Sequence, residues 1–317
     1  MDNIWLSWEV HRRNRAICQT LGWPLFEVIS DNQRLLRYLI SSIKTIIILI
    51  REKPKIVVAQ NPSIVLATLI TSMKHVFHYK AIIDAHNSGI FPMEGQNRLL
   101  MMISRHLQKQ ADLTIVTNDQ LMHEVVSNGG RAFVMPDSIP ETPSTSQCAL
   151  KGRINIAYIC SYNIDEPYRQ VFEAARLIPP DVFIYTTGKY QGKIDSTMVP
   201  ANVKLLGFVS ESEFWSILST ADFIMDLTLR EGCLVCGAYE GVALKKPLIL
   251  SDTKALRHHF SKGCVYVQPT AESIAAGINH IIGNRQSYQS DIIDLKVDLI
   301  NKWQDTAHDF FYVINSL

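Results

Sequence analysis

Residues 226–252, DLTLREGCLVCGAYEGVALKKPLILSD, contain the densest group of side chains with chemical potential. The pattern predicts a strand, a polar turn at 230–232, a helix over about 236–245 and a second strand. The first turn of a helix offers unpaired backbone N–H groups and the positive end of the helix dipole, and a glycine in the turn lets an anion approach. Glu231 before this helix and Glu240 within it can both face one ligand. The segment therefore predicts an anion-binding site with two carboxylates beside it.

Common nucleotide-binding and hydrolase motifs are absent from the sequence. There is no G-x-G-x-x-G after the first strand candidate, no G-x-x-x-x-G-K-[ST], no G-x-S-x-G and no H-E-x-x-H. Their absence argues against dehydrogenases, P-loop NTPases, serine hydrolases and zinc proteases. Cys233 and Cys236 form a lone C-x-x-C without a second pair, so neither a metal nor a cofactor is expected. The absence of a D-x-D pair after a strand also disfavours carboxylate-held metal chemistry.

The elements that must position this segment alternate along the whole chain. Strand candidates lie at 3–7, 24–30, 55–60, 80–86, 112–117, 131–136, 154–160, 182–188, 204–209, 222–228, 247–252 and 264–269. Strands that alternate with helix-length segments are typical of parallel sheets covered on both faces. The sequence therefore predicts an α/β protein with two Rossmann-like, doubly wound domains facing a cleft, and a ligand site between them.

The domain boundary is predicted from a change in composition. The segment PDSIPETPSTSQ, residues 136–147, is rich in Pro, Ser and Thr, as interdomain linkers are. We expect a first domain over 1–140, a linker over 141–150 and a second domain over 151–290.

The motif region resembles the GT-B glycosyltransferases, in particular retaining glycosyltransferase family 4, also called glycosyl transferases group 1. That family has E-G-F-G or E-G-F-P, four residues, then E-A-x-A-x-G-x-P-V-V and often S-D. This chain has EGC at 231–233, YEGVA at 239–243, KKP at 245–247 and SD at 251–252. It departs from the family in having Cys233 in place of the aromatic residue and eight residues between its two glutamates, one more than the family. Relatives pack a terminal helix back onto the first domain, which implies the same for residues 291–317.

The resemblance implies a nucleotide-diphosphate sugar as donor. Glu240 would accept hydrogen bonds from the ribose hydroxyls, and Glu231 would act as a catalytic residue that holds the sugar hydroxyls; the alternative is that both are ordinary charged residues of a helix and its start. A carboxylate suits a vicinal diol, and the N–H groups of a helix start suit a diphosphate. The other donor-side candidates, by analogy with the family, are Asn163, Gly188, Lys189, Val209, Arg230, Gly232, Cys233, Leu234 and Val235.

The first domain offers candidates for the acceptor side. His86 follows the strand candidate at 80–86, where the family often has a histidine close to the transferred sugar, so it is a second candidate catalytic residue. Trp8, His11 and Arg12 in the first loop could bind an acceptor group or simply begin a solvated helix.

The apolar segment Leu35–Ile50 has two interpretations. It is interrupted by Arg37 and Lys44 and is too short to span a bilayer. It is either a core helix of the α/β layers or, with its flanking cations, a helix lying against an anionic membrane surface.

The charge balance completes the sequence-based expectations. The 317 residues carry a net charge of +1, with 15 basic and 12 acidic residues up to position 150 and 16 basic and 18 acidic residues after it. Nucleic acid is therefore not an expected partner. Six scattered cysteines and no signal peptide predict a cytoplasmic protein, either free or associated with the inner face of the membrane.

Together with the resemblance, these features predict a glycosyltransferase that moves a sugar from a nucleotide-diphosphate donor to a saccharide or lipid-linked saccharide, with retention and without a metal ion. Its expected role is in glycan or surface-polysaccharide assembly. The alternatives are a nucleotide-sugar epimerase or hydrolase of the same architecture, and a catalytically silent GT-B binding protein.

Overall fold

The structure is a computed structural model that describes residues 2–61 and 63–317. The chain divides into two compact units. The first unit contains the described residues up to Ser138 together with Lys302–Leu317, and the second unit is Ile139–Asn301.

The first unit is a six-stranded parallel sheet with helices on both faces. Its elements are β1 (Asn3–Ser7), α1 (Arg12–Leu21), β2 (Leu25–Glu27), α2 (Arg34–Glu52), β3 (Ile56–Asn61), α3 (Ile64–Phe77), β4 (Lys80–Ala85), α4 (Asn87–Ile90), a 3₁₀ turn (Pro92–Gly95), α5 (Arg98–Gln110), β5 (Leu113–Val116), α6 (Asp119–Ser127) and β6 (Ala132–Val134). The strand order is β2-β1-β3-β4-β5-β6, so the direction of winding changes between β1 and β3.

Alternate residues of the first sheet face two separate cores. Trp5, Val58 and Ile82 pack with α1 on one face, while Ile4 and Val57 belong to the core on the other. Because both faces are covered, all six residues of β3 are buried, which explains the nearly continuous apolar run at 55–60.

The second unit has its own six-stranded parallel sheet. Its elements are β7 (Ile154–Tyr158), α7 (Tyr168–Ala175), β8 (Val182–Thr187), a 3₁₀ turn (Ser196–Met198), β9 (Val203–Gly207), α8 (Glu211–Thr220), β10 (Phe223–Asp226), α9 (Cys236–Ala243), β11 (Leu248–Ser251), α10 (Lys254–His259), β12 (Cys264–Val267), α11 (Ala271–Gly283) and the start of α12 (Arg285–Asn315). The strand order is β12-β11-β10-β7-β8-β9. The unit's first strand, β7, therefore pairs with its fourth, β10, and this pair is the switch point at which ligands bind in such sheets.

The final helix belongs to both units. Its predicted start at residue 291 lies six residues after the observed start of α12 at Arg285, because no glycine or proline interrupts the chain from there to Asn315. From Lys302 onward it clusters with the first unit. There Phe310 is fully buried with its ring 5.3 Å from that of Phe133, and the Trp303 indole N–H donates to the carbonyl of Pro136 at 3.1 Å.

Residues 141–150, predicted as a linker, form neither helix nor strand but cluster with the second unit. The Ser216 hydroxyl donates to the carbonyl of Ser146 at 2.7 Å, and the Cys148 backbone N–H donates to the Thr220 hydroxyl at 3.1 Å. These contacts hold the segment against α8.

Candidate functional site

The predicted strand–turn–helix segment forms at the switch point of the second unit. α9 begins at Cys236, at the predicted position, and follows β10 after a nine-residue turn. All residues of α9 from Gly237 to Ala243 are buried, and Glu240 among them is 7% exposed. The interpretation of Glu240 as a solvated helix residue is therefore wrong, because a carboxylate held this far from water needs a polar neighbour.

The N-terminus of α9 is partly neutralised by the protein itself. Asp226, the last residue of β10, accepts a hydrogen bond from the Gly237 backbone N–H at 2.8 Å. A Cβ on Gly237 would lie 2.6 Å from the Asp226 carboxylate and 2.5 Å from the Ile159 side chain, so only glycine lets the helix approach the strand end this closely. The site therefore has an internal carboxyl group beside the N–H groups that the sequence predicts for a ligand.

Burial raises the pKa of Asp226 well above its ordinary value, and the nearby carboxylates of Glu166, Glu240 and Asp165 raise it further. The hydrogen bond from Gly237 opposes this shift but is the smaller influence. A proton on Asp226 lowers the negative charge at the switch point, so an anionic ligand is repelled less strongly there.

The loop after β7 holds a second internal anion. The Glu166 carboxylate accepts backbone N–H bonds from Ser161, at 3.0 and 3.1 Å, and from Asn163, at 2.8 Å. The Ser161 hydroxyl also donates to it at 3.0 Å. Tyr162 between the two donors has φ of 57°, and this left-handed residue turns both N–H groups toward one point. The loop is thus a backbone anion-binding nest with a protein carboxylate bound in it.

The loops after β7 and β10 are joined by a salt bridge. An Arg230 guanidinium nitrogen lies 3.2 Å from a carboxylate oxygen of Asp165, and both side chains are largely shielded from solvent. The Leu229 backbone N–H also donates to the carbonyl of Asp165 at 2.7 Å. Arg230, predicted to meet phosphate, is therefore already paired with a carboxylate from the neighbouring loop.

The turn before α9 presents backbone rather than side chains. Leu234 and Val235 pack against the core between α9 and the sheet, Gly232 is buried, and Glu231 is exposed. Burial raises the pKa of the Cys233 thiol to about 11, so it stays protonated at neutral pH and is no nucleophile.

The candidates after β8 and β9 have different environments. The Gly188 N–H donates to the carbonyl of Gly207 at 2.9 Å, and a Cβ on Gly188 would lie 1.9 Å from the carbonyl oxygen of Cys160. Its φ of 95° also favours glycine. The close packing of the loops after β7, β8 and β9, together with this backbone conformation, explains why residue 188 is glycine. Lys189 is exposed, and Val209 packs partly against the core.

The first unit places two histidines together at the ends of β1 and β4. The rings of His11 and His86 lie 5.3 Å apart, and His11 Nδ1 and His86 Nε2 are buried with no hydrogen-bond partner among the described residues. Burial lowers the pKa of His86, and the Arg13 guanidinium lowers it further, outweighing the nearby aspartates. His86 is therefore a neutral imidazole at pH 7.

Trp8 and Arg12, the other acceptor-side candidates, have different surroundings. Trp8 is 8% exposed in the core, where its indole N–H donates to the Thr45 hydroxyl at 3.0 Å. Arg12 is exposed at the start of α1. Trp8 is thereby explained as a core residue that fixes the first loop on α2.

Sequence reasoning missed the residues that organise this end of the first sheet. Arg13 is buried and donates to Asp84 at 2.9 Å, to Asp137 at 2.5 Å and to the carbonyl of Met135 at 2.7 Å. Asn14 is fully buried, and neither of its amide atoms has a partner among the described residues. Arg13 lies within the run HRRN at 11–14, and only the fold shows which of the two arginines faces inward.

No group of three or more His, Cys, Asp or Glu side chains within residues 2–61 and 63–317 is placed to hold a metal ion. A concavity of about 620 Å³ lies along β9, lined by residues that include Lys151, Tyr185 and Pro200. None of the predicted donor-side residues lines this concavity. The candidate site is therefore the switch point between β7 and β10 and not this concavity.

Comparisons with known proteins support the architecture. No family model and no curated protein matches the sequence. Among solved structures, the chain is similar to Anabaena HepE in complex with UDP-glucose, with a TM-score of 0.75 and 12% identity over 100% of both chains. It is also similar to sucrose-phosphate synthase from Thermosynechococcus elongatus, with a TM-score of 0.77 and 11% identity over 100% of this chain and 99% of that one. A putative UDP-N-acetylglucosamine 2-epimerase from Listeria monocytogenes has a TM-score of 0.63 and 12% identity over 99% and 96% of the two chains. The chain has the GT-B fold.

Replacing Gly188 with alanine should destabilise the second unit. The new Cβ meets a backbone carbonyl and the backbone is left-handed, so we expect a loss of about 2–4 kcal/mol in chemical denaturation. Gly192→Ala is the matched control, because φ is 76° there and nothing lies within 4 Å; it should cost about 1 kcal/mol. Equal losses for the two variants would contradict the packing role of Gly188.

Replacing Asp226 with asparagine should stabilise the protein increasingly as pH rises. The folded-state pKa is raised, so the stability of the wild type is complete below the unfolded pKa of about 4 and is lost above it, by up to about 1.4 kcal/mol per pH unit. The asparagine side chain would keep an oxygen for the Gly237 N–H and would not ionise. Unfolding free energies at pH 4, 6 and 8 should diverge between variant and wild type, whereas exposed Asp294→Asn should show no such trend; a constant difference for Asp226→Asn would refute the assignment.

Proposed function

We propose that the protein is a glycosyltransferase that moves a sugar, with retention, from a nucleotide-diphosphate donor to a hydroxyl of a saccharide or lipid-linked saccharide. The observation that carries the proposal is Glu240, a carboxylate only 7% exposed on a helix that starts at the switch point of the second unit. A buried carboxylate there suits the vicinal hydroxyls of a ribose. The UDP and UDP-glucose bound by the structural neighbour HepE support a uridine nucleotide as the first donor to test.

On this proposal, the donor diphosphate displaces the protein's own carboxylates. The Ser161 and Asn163 N–H groups that hold Glu166, and the Arg230 that holds Asp165, are the groups suited to phosphate oxygens. Lys189 adds an exposed cation, and the backbone from Gly232 to Val235 with Glu231 holds the sugar. Charge that develops on the departing diphosphate is stabilised by these fixed donors and the start of α9, so the transfer step needs no metal ion.

His86 acts on the acceptor side. Because its pKa is lowered, the neutral imidazole can hydrogen bond a hydroxyl or accept its proton at pH 7. The exposed apolar face of α2 supports a lipid-linked acceptor over a free sugar, and glycan or surface-polysaccharide assembly is the corresponding cellular role.

Two other functions share this architecture. An epimerase is favoured by the similarity to the Listeria protein, and a silent binding protein is favoured by the two internal carboxylates that occupy the phosphate-binding groups. Incubation with a UDP-sugar distinguishes the three: a transferase releases UDP only with acceptor and forms a glycosylated product, an epimerase forms an isomeric UDP-sugar without acceptor, and a silent protein does neither.

Glu240→Gln should abolish most of the affinity for UDP. The neutral amide keeps the shape of the side chain but loses the charge-assisted hydrogen bonds to the ribose, worth about 1.5–3 kcal/mol, or roughly 10–100-fold in the dissociation constant. Calorimetric titration with UDP measures this loss, and Glu173→Gln, exposed on α7, is the matched control. If the wild type does not bind UDP or another nucleoside diphosphate, or if Glu240→Gln binds as tightly as the control, the donor site is wrongly assigned.

Glu166→Gln should have the opposite effect on the donor. Removing the charge weakens the internal competitor for the Ser161 and Asn163 N–H groups, so we expect UDP to bind several-fold more tightly. The effect should require the diphosphate, since uridine alone has no group for the nest. Titration of the variant with UDP and with uridine checks this, and equal changes for both ligands would show that Glu166 only maintains the loop.

A further inference from the structure

Helix α2 has a continuous apolar outer side, whereas its inner side mixes polar and apolar residues. The side chains that are wholly buried or turned inward include Ser41 and Thr45, both at 0% exposure. Its large aliphatic side chains point outward at successive intervals of three or four residues: Leu36, Leu39, Ile43, Ile47 and Ile50, each 47–59% exposed. Residues at this spacing form one continuous stripe on a helix. We call these five side chains the outer face of α2.

The inner side of α2 is satisfied by the fold. The Thr45 hydroxyl accepts the Trp8 indole N–H at 3.0 Å, and Leu49 is fully buried in the core of the first unit. α2 could not turn its outer face inward without breaking the Trp8 bond and exposing Leu49. The core-helix interpretation of this segment is therefore correct only for its inner side.

The charges beside the outer face indicate what covers it. Over residues 34–53 the cations are Arg34, Arg37, Lys44, Arg51 and Lys53, and the single acidic residue is Glu52. All of these cations except the half-buried Arg37 are exposed. A second copy of the chain placed on the outer face would oppose two clusters of like charge, whereas an anionic lipid surface would complement them.

The helix is suited to lie on a bilayer and not to cross it. No helix in the described ranges is long and apolar enough to span a membrane. With a rise of about 1.5 Å per residue, the apolar stripe from Leu36 to Ile50 is about 21 Å long. An interfacial helix buries such a stripe among the acyl chains while its cations meet the headgroups.

We propose that the outer face of α2 docks the protein on an anionic lipid surface, with its aliphatic side chains inserted and Lys44, Arg51 and Lys53 against the headgroups. This surface is independent of the donor chemistry proposed above. Docking would bring the enzyme to a lipid-linked acceptor and confine catalysis to the membrane surface.

Co-sedimentation of the full chain with vesicles tests the proposal. We expect binding to phosphatidylcholine vesicles that contain phosphatidylglycerol, weaker binding to phosphatidylcholine alone, and loss of binding at high salt. The double variant Ile43→Glu/Ile47→Glu should abolish binding, and Lys44→Gln should weaken it about fivefold. The control is Val126→Glu, which adds a charge at an exposed apolar position on α6 and should bind as the wild type does.

The same variants separate docking from folding and from donor binding. All mutated side chains are exposed, so melting temperatures and UDP titrations of the variants should match the wild type, and a failed donor site would leave the vesicle result unchanged. Equal sedimentation with neutral and anionic vesicles, or unchanged sedimentation of the double variant, would overturn the proposal. So would a dimer in analytical ultracentrifugation that Ile43→Glu/Ile47→Glu dissociates, because the outer face would then be covered by a second copy.

Discussion

The candidate donor site depends on the parallel pairing of β7 with β10. These strands are 68 residues apart at Tyr158 and Asp226, yet their carboxyl ends are neighbours, so the loops that follow them share one edge of the sheet. The anion-binding nest at 161–163 and the start of α9 are both products of this pairing. The salt bridge from Arg230 to Asp165 then fixes one loop against the other.

This edge of the sheet holds carboxyl groups on backbone N–H groups and on an arginine. Two backbone anion sites, the nest and the start of α9, hold Glu166 and Asp226, and the nearby cation Arg230 holds Asp165. The protein thus fills with carboxylates the positions that a diphosphate would require. These carboxyl groups satisfy the N–H groups and Arg230. On our proposal, a donor diphosphate must displace them and offset that cost through contacts with Glu240 and the turn before α9.

The sequence predicted the elements well because their signals are local. The β-branched runs at 3–7 and 154–160 became β1 and β7, and Cys236 begins α9 as the turn residues indicated. Side-chain partners had no such signal: Glu166 turns back to bind Ser161 and Asn163 within its own loop, and Arg13 faces inward where Arg12 does not. The apolar segment Leu35–Ile50 was ambiguous for the same reason, since only tertiary packing shows that Ser41 and Thr45 face inward while Ile43, Ile47 and Ile50 face outward. Local patterns thus predicted the strand, turn and helix of the candidate site, while the charge pairing within it required the fold.

A crystal structure of the chain with UDP would test the central claim most directly. We expect the ribose hydroxyls on Glu240, the diphosphate on the Ser161 and Asn163 N–H groups and the start of α9, and the Glu166 carboxylate moved out of the nest. UDP bound elsewhere on the second unit, or bound with Glu166 still on both N–H groups and Glu240 without a contact to the ribose, would contradict it.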